Sequence, residues 1–394
     1  MHKLVSTTLL LGTGSVIHAM RVIVLSLLLD NRDFGAVSTI LLIATLFAEF
    51  GSLGFSQLIY NQRLFTPGVL NRAAVNVSRY LFAGLLIIVI MAAVTGAIIA
   101  VFTSFYVITI FLTLICAASN TMLLAACRAS TSSFTHPIGF FVKSLIVLVD
   151  IAILGAGDLH IDTIALWGEV LAAPVLIAYA VRCGIVRPSR VMRRKIKALL
   201  MTNRLIAVWA VMSSVSSLVF LNQERIAGAL FLSLEDMGAM SKILLIKIIA
   251  AQGAFILGAP FHRHIIGSSQ AARINLFTEI RRYEPYAYGV LALLCALAVM
   301  PIQTVYRLAY TIDVSTAVAI SAVVLAIIFA FNPFSILLQA SGQFRKVSAI
   351  NAITVALFLS FALFNHDNVA IVIASATAST IWFVLIRRGA AKLL

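Results

Sequence analysis

Long apolar runs separated by short polar segments fill nearly the whole chain. A helix needs about 20 apolar residues in succession to cross about 30 Å of hydrocarbon, so each run predicts one membrane-spanning helix. The twelve predicted spans cover 4–29, 36–58, 80–103, 106–127, 140–156, 161–181, 205–231, 237–259, 286–304, 314–338, 347–364 and 368–386. Within the runs the apolar residues are continuous rather than alternating, which argues against a spanning β-barrel. The pattern therefore predicts an all-α polytopic membrane protein.

The composition narrows the class of protein further. Of 394 residues, 62% are hydrophobic and 11% are charged, whereas a soluble domain is closer to half apolar and one quarter charged. Twelve spans also leave no stretch long enough for a separate soluble domain. These values exclude a soluble enzyme, a disordered chain and a coiled coil.

The positions of lysine and arginine predict the orientation in the membrane. The net charge is +15. If the N-terminus is cytoplasmic, nearly all basic residues fall in cytoplasmic segments, and the outer loops hold only Arg32 and Arg307. We therefore expect a multi-pass protein of the bacterial inner membrane with both termini in the cytoplasm. The basic surplus then reflects topology and contact with anionic lipid, and no nucleic-acid partner is expected.

An internal repeat divides the chain into two halves. The segment DFGAVSTILLI at 33–43 matches DMGAMSKILLI at 236–246 without a gap, with eight identical residues of eleven. The offset of 203 places the first two spans on the seventh and eighth. Six spans per half give a parallel repeat, in which substrate sites lie between the halves. We predict two six-helix lobes, 1–181 and 205–394, joined by a basic cytoplasmic linker at 182–204.

Eight charged residues lie five or more residues inside predicted spans, although a charge at a lipid-facing helix centre costs about 3 kcal/mol. They are Arg21, Glu49, Asp150, Glu169, Glu224, Arg225, Lys242 and Lys247. Six of the eight lie on spans 1, 2, 7 and 8, which predicts that these spans line a wet cavity between the lobes. An alternative is that the four acids and four bases pair with each other.

The side-chain chemistry suggests two roles for these groups. Cations gathered around a cavity suit a diphosphate or an acidic sugar, because arginine and lysine bind phosphate oxygens well. The predicted substrate-binding residues are His18, Arg21, Arg225, Lys242 and Lys247. A desolvated carboxylate suits H⁺ or Na⁺ coupling. The predicted ion-coupling residues are Glu49, Asp150, Glu169 and Glu224.

Enzymatic and cofactor signatures are missing from the sequence. It contains no nucleotide-binding P-loop motif, no Ser/His/Asp set and no HExxH motif. The four cysteines, Cys116, Cys127, Cys183 and Cys295, show neither metal-ligand spacing nor a disulfide framework. We expect no enzymatic activity, no metal site and no cofactor.

Several segments resemble the polysaccharide flippases of the Wzx type. The first half contains the segments GTGSVIHAMRVIVLSLLL, DNRDFGAVSTILL and FGSLGFSQLIYNQ. The second half contains a related segment, LNQERIAGALFLSLEDMGAMSKILL. The resemblance implies membership of the superfamily that contains multidrug (MATE-type), lipid II and oligosaccharide-lipid flippases. It also implies two six-helix lobes, a central cavity and alternating access.

The cargo implied by this resemblance is an undecaprenyl-diphosphate-linked saccharide, carried from the cytoplasmic to the periplasmic leaflet for O-antigen, lipopolysaccharide or exopolysaccharide export. Arg21 and Arg225 are the residues that would hold its anionic head group. The implied partners are the lipid-linked glycan, membrane lipids and other membrane proteins of polysaccharide assembly. The alternative is an ion-coupled secondary transporter of small molecules, either a MATE-type drug extruder or a major-facilitator protein. Against a major-facilitator protein, the loop NQRLFTPGVLNRAAVNVSRY lacks the expected Gly-x-x-x-Asp-Arg-x-Gly-Arg-Arg run.

Overall fold

The described part of the chain is almost entirely helical. The computed structural model describes residues 2–51, 81, 84–86, 88–90, 106–128, 130, 134–154, 161–185, 204–265, 270–309, 314–330, 333–364 and 368–392. Five of its helices are α1 (His2–Leu28), α2 (Asn31–Gly51), α3 (Tyr106–Arg128), α4 (Thr135–Leu154) and α5 (Ile161–Arg182).

The second half contains shorter helices as well as long ones. They are α6 (Arg204–Leu221), α7 (Gln223–Phe231), α8 (Leu234–Ile243), α9 (Leu245–Ile265), α10 (Gln270–Ala309), α11 (Val314–Ala330), α12 (Pro333–Ala340), α13 (Phe344–Ala362) and α14 (Asn368–Ala391). Within the described residues, five helical stretches are long and apolar enough to cross a membrane. The pair α8 and α9, bent by 40° at Leu244, adds a sixth if it forms one span.

The predicted spans and the observed helices agree closely in position. Each predicted span except the third overlaps one helix or two consecutive helices. The third, 80–103, lies mostly outside the described residues, and its described positions 81, 84–86 and 88–90 are helical. The seventh span is divided into α6 and α7, and the eighth into α8 and α9. The all-α fold predicted from the sequence is therefore confirmed.

Helix α10 extends much further than the span predicted for it. Its 40 residues make a rod about 60 Å long, whereas the apolar run covers only 286–304. The earlier part of α10 is amphipathic: Leu276, Phe277 and Ile280 are buried on one face, while Arg281 and Arg282 are exposed. Hydropathy predicts a span that begins too late, because the first part of α10 has one polar and one apolar face.

The chain forms two compact units. Unit 1 contains residues 1–21 and 40–218, and unit 2 contains residues 22–39 and 219–394. Residues 22–39 are thus grouped with the C-terminal half of the sequence. The lobe boundaries predicted above stay a prediction, and 186–203 of the predicted linker lies outside the described residues.

In unit 1, helices α3, α4 and α5 pack against one another, and glycines allow close approach to α4. A Cβ at Gly168 on α5 would lie 3.2 Å from the Cα of Val147. A Cβ at Gly14 on α1 would lie 3.2 Å from the Cα of Phe141. At these glycines the backbones of neighbouring helices therefore approach each other closely, as is common for helices packed within membranes.

In unit 2, α14 packs against both α11 and α13, and aromatic side chains contribute to a hydrophobic cluster of the described residues. Phe220 stacks on Trp382 with ring centroids 4.9 Å apart. The indole Nε1 of Trp382 donates a hydrogen bond of 2.6 Å to Oδ1 of the buried Asn351. This bond joins α13 to α14 inside an otherwise apolar environment.

We expect Asn351→Leu to lower the free energy of unfolding of the purified protein by about 1–2 kcal/mol, because it leaves the indole N–H of Trp382 without its acceptor. Thr377→Ala, on an exposed position of α14, is the control and should cost little. Unfolding in mixed detergent micelles measures both. Equal stability of the two variants would contradict the importance of this bond.

Candidate functional site

A buried carboxylate holds four helices together in unit 1. Oε1 of Glu169 on α5 lies 2.9 Å from Nζ of Lys143 on α4 and 3.8 Å from Nη1 of Arg21 on α1. Nδ2 of Asn120 on α3 donates to Oε2 of Glu169 at 2.8 Å and to its backbone carbonyl at 3.0 Å. We call Arg21, Asn120, Lys143 and Glu169 the Glu169 cluster.

Two further predicted residues lie beside the Glu169 cluster. His18 is three residues before Arg21 in α1, and its ring centroid lies 6.1 Å from that of Phe140. Asp150 on α4 is 5% exposed and attracts Arg21 electrostatically. Within the described part of the chain, Oδ2 of Asp150 has no hydrogen-bond partner. The fold thus brings His18, Arg21, Asp150 and Glu169 into one region.

Sequence reasoning missed two members of the Glu169 cluster. The predicted topology counts Lys143, near the start of the fifth span, among the cytoplasmic basic residues. Helix α4 begins at Thr135, however, so Lys143 lies more than two turns inside the helix. Asn120 is uncharged and lies within an apolar run. A lysine three residues inside a predicted span boundary was the signal that could have identified Lys143.

In unit 2, the carboxylate of Glu224 on α7 is buried, and the residue is 1% exposed. Nζ of Lys247 on α9 lies 2.6 and 2.7 Å from its two oxygens. The hydroxyl of Ser375 on α14 donates to Oε1 of Glu224, and Nε2 of Gln223 donates to Oγ of Ser375 at 3.0 Å. We call Gln223, Glu224, Lys247 and Ser375 the Glu224 cluster.

The two clusters occupy related places in the sequence repeat. The offset of 203 that aligns the repeat also places Arg21 on Glu224. Each of these residues contacts the last described helix of its own half of the sequence: Arg21 pairs with Glu169 on α5, and Glu224 accepts from Ser375 on α14. The polarity is opposite, because the first half supplies a base at this position and the second half an acid.

The remaining predicted cations have different surroundings. Arg225 is half-buried beside Glu224 and is attracted by it electrostatically. Lys242 is buried, and its Nζ donates to the carbonyl oxygen of Leu29 at 3.3 Å and to Oδ1 of Asn31 at 2.8 Å. Lys247 is engaged by Glu224, as the internal-pairing alternative expects. The assignment of these cations to substrate therefore stays a prediction.

The other predicted features are less fully described. Glu49 lies in α2, but its side chain is outside the described part of the structure. Among the residues that are described, no three His, Cys, Asp or Glu side chains are grouped so as to hold a metal ion. The ion-coupling role proposed for Glu49, Asp150, Glu169 and Glu224 stays a prediction.

Comparison with known proteins identifies the fold. No protein-family model matches the sequence, and no curated protein matches it. A variant of the Vibrio cholerae MATE transporter VcmN has a TM-score of 0.63 at 14% identity, over 99% of this chain and 96% of that one. A eukaryotic MATE transporter, AtDTX14, has a TM-score of 0.60 at 10% identity, over 100% and 98%.

A third similar structure is an outward-facing multidrug resistance transporter of the MATE family and the MOP superfamily. Its TM-score is 0.55 at 14% identity, over 99% of this chain and 96% of that one. The chain therefore has the fold of MATE transporters, as the flippase resemblance implied. At these identities the similarity defines the fold and leaves the cargo open.

We expect Glu169→Gln to destabilise the purified protein by about 3 kcal/mol or more, since it removes the carboxylate that the buried Arg21 and the half-buried Lys143 share. The double variant Glu169→Gln with Lys143→Met should recover part of this loss, because it removes the charge of one of the two bases that lose this carboxylate. Glu279→Gln, at an exposed position of α10, is the matched control. Thermal unfolding in detergent measures all three, and additive losses in the double variant would argue against the pair.

Proposed function

We propose that this chain is an inner-membrane flippase that carries an undecaprenyl-diphosphate-linked oligosaccharide or polysaccharide precursor across the membrane by alternating access. The observation that carries the proposal is the charge balance of residues 219–254 in unit 2. Three buried or half-buried residues of this stretch are basic, namely Arg225, Lys242 and Lys247. One, Glu224, is acidic, whereas Glu235 and Asp236 are exposed.

An excess of positive charge among buried residues of membrane-spanning helices is costly unless an anion offsets it during function. A diphosphate head group cannot cross hydrocarbon unaided, while the prenyl tail can remain in the lipid. Arginine is the side chain best suited to bind phosphate, because its guanidinium donates two parallel hydrogen bonds. Arg225 is the leading ligand, since Lys247 is paired with Glu224 and Lys242 bonds to Leu29 and Asn31.

Two further lines support an exporter of this type. The sequence resembles Wzx-type flippases in both halves, and the fold is shared with MATE transporters of the MOP superfamily. Energy for directional transport would come from H⁺ or Na⁺. Asp150 and Glu169 are the candidate coupling groups, because Asp150 keeps one oxygen without a hydrogen-bond partner in the described structure.

A second candidate function is drug export of the MATE type. The structural similarity favours it, because the similar solved structures described above are MATE transporters and one of them is a multidrug resistance transporter. A drug extruder for cationic compounds would be expected to place acids, rather than a surplus of bases, in its substrate path. The charge balance of 219–254 is therefore the feature that separates the two candidates.

The direct test is flipping of a fluorescent undecaprenyl-diphosphate oligosaccharide by the purified chain in lipid vesicles. We expect Arg225→Gln to slow flipping about tenfold or more, the loss expected for one charge-assisted hydrogen bond. Arg281→Gln, at an exposed position of α10, should flip at the unmodified rate. The quantity measured is the rate at which the label becomes accessible to an impermeant quencher.

Drug export is tested in parallel with the same vesicles. Movement of ethidium under a proton or sodium gradient, with no movement of the lipid-linked glycan, would overturn the flippase proposal in favour of the MATE-type exporter. Gene deletion in the host provides the cellular counterpart. Unchanged surface glycan and no accumulated lipid-linked precursor after deletion would also count against glycan transport.

A further inference from the structure

The two copies of the sequence repeat contact each other within unit 2. A Cβ at Gly35 on α2 would overlap the carbonyl oxygen of Leu234 at the start of α8. A Cβ at Gly238 on α8 would overlap the carbonyl oxygen of Asn31 at the start of α2. The repeat offset pairs Gly35 with Gly238 and Asn31 with Leu234, so each copy makes the same contact with the other. We call this contact the repeat seam.

Lys242 forms hydrogen bonds across the repeat seam. It projects from α8 to the turn between α1 and α2, where its Nζ bonds to the carbonyl oxygen of Leu29 and to Oδ1 of Asn31. The same ammonium lies 5.8 Å from the ring centroid of Phe34. Lys242 is only 4% exposed, so this long side chain is held in one position between the copies.

The residues behind the repeat seam are closed to water. Ser38 and Ser241 are equivalent in the repeat, and they are 3% and 0% exposed. Phe34 and Met237, also equivalent, are each 1% exposed. Separation of the two copies would expose all four, so their accessibility reports whether the seam is open or closed.

The contacts that Lys242 makes across the repeat seam differ in chemistry from the ion pairs of the half-buried Lys143 and Lys247. Lys143 and Lys247 bond to the carboxylates of Glu169 and Glu224, which would be left as buried uncompensated charges if the lysines moved away. The carbonyl oxygen of Leu29 and Oδ1 of Asn31, which Lys242 contacts across the repeat seam, are uncharged. Water can replace Lys242 at these oxygens, and water can hydrate the ammonium, at much lower cost. Such a contact can break and re-form.

We propose that Lys242 is a latch that holds the repeat seam closed and sets the balance between closed and open states, rather than a ligand for cargo. Its role in a transport cycle rests on the proposed function, whereas the latch itself does not. The sequence topology places this end of both helices on the outer side of the membrane. The closed seam would then block the outer path, and its opening would release cargo there.

Cysteine labelling tests the latch without any substrate. Ser38→Cys and Ser241→Cys are introduced singly into the purified full chain in lipid nanodiscs, and labelling by an impermeant maleimide is timed. We expect slow labelling at both positions. Adding Lys242→Met should speed it about tenfold or more, because the open state gains population when the hydrogen bonds to Leu29 and Asn31 are lost. Lys242→Arg, which retains donors and charge, should restore slow labelling in full or in part.

Matched controls distinguish loss of the Lys242 contact from a general destabilisation of the protein. Lys346 on α13 also bonds to a backbone carbonyl of another helix, with its Nζ 3.1 Å from the oxygen of Gly389, but it lies away from the seam in sequence. Lys346→Met should leave labelling at both serine positions unchanged. Glu235→Cys, at an exposed position of α8, should label quickly in every background. The chain with its four native cysteines alone gives the background rate.

Each outcome decides the proposal. Equal labelling with and without Lys242→Met overturns it, as does an equal acceleration by Lys346→Met. If Lys242→Met does not purify, Asn31→Ala removes the shorter hydrogen bond from the other side, and the same comparison applies. Glycan flipping is measured separately, so fast labelling without flipping would support the latch while contradicting the proposed cargo.

Discussion

Charged side chains inside apolar helices need partners, and this requirement determines where the helices of each unit meet. A carboxylate transferred into a low-dielectric interior is costly unless cations and hydrogen-bond donors surround it. Glu169 therefore draws together α1, α3, α4 and α5, and Glu224 draws together α7, α9 and α14. Hydrophobic packing then fills the rest, as with Trp382 against Phe220. The polar clusters specify which helices pair, because apolar faces alone resemble one another.

Much of this arrangement could be predicted from the sequence, and what could not has a physical reason. Hydropathy locates the spans because the bilayer requires a minimum length of apolar helix, and it predicts Glu169 and Glu224 as buried. It does not predict their partners, because pairing depends on how distant helices pack. Asn120 and Ser375 are undetectable in an apolar run, since a single uncharged polar residue is common in membrane helices. The span predicted for α10 is shorter than the helix because the first part of α10 is buried on one face only and therefore contains many polar residues.

The fold and the charge balance give different kinds of information about transport. A helical framework shared with MATE transporters at 10–14% identity allows many cargoes, because substrate preference resides in a few side chains. Among the buried and half-buried charges of 219–254, bases outnumber acids by three to one, which under the proposed function favours an anionic cargo. The differing environments of Lys242, Lys247 and Arg225 then divide those bases by task. Lys242 bonds to uncharged oxygens of Leu29 and Asn31, Lys247 is paired with the carboxylate of Glu224, and Arg225 is the phosphate ligand that the flippase proposal requires.

The reciprocal contact between Gly35 and Gly238 has an evolutionary consequence. A contact in which each partner offers the same residue to the other has the geometry of a twofold homodimer interface. In a homodimer, one mutation at this glycine would damage both sides of the interface at once. In a fused chain, each glycine is encoded separately, so one copy can change while the other keeps its half of the contact. Because one chain carries both copies of the repeat, equivalent positions can differ, as the base at Arg21 and the acid at Glu224 illustrate.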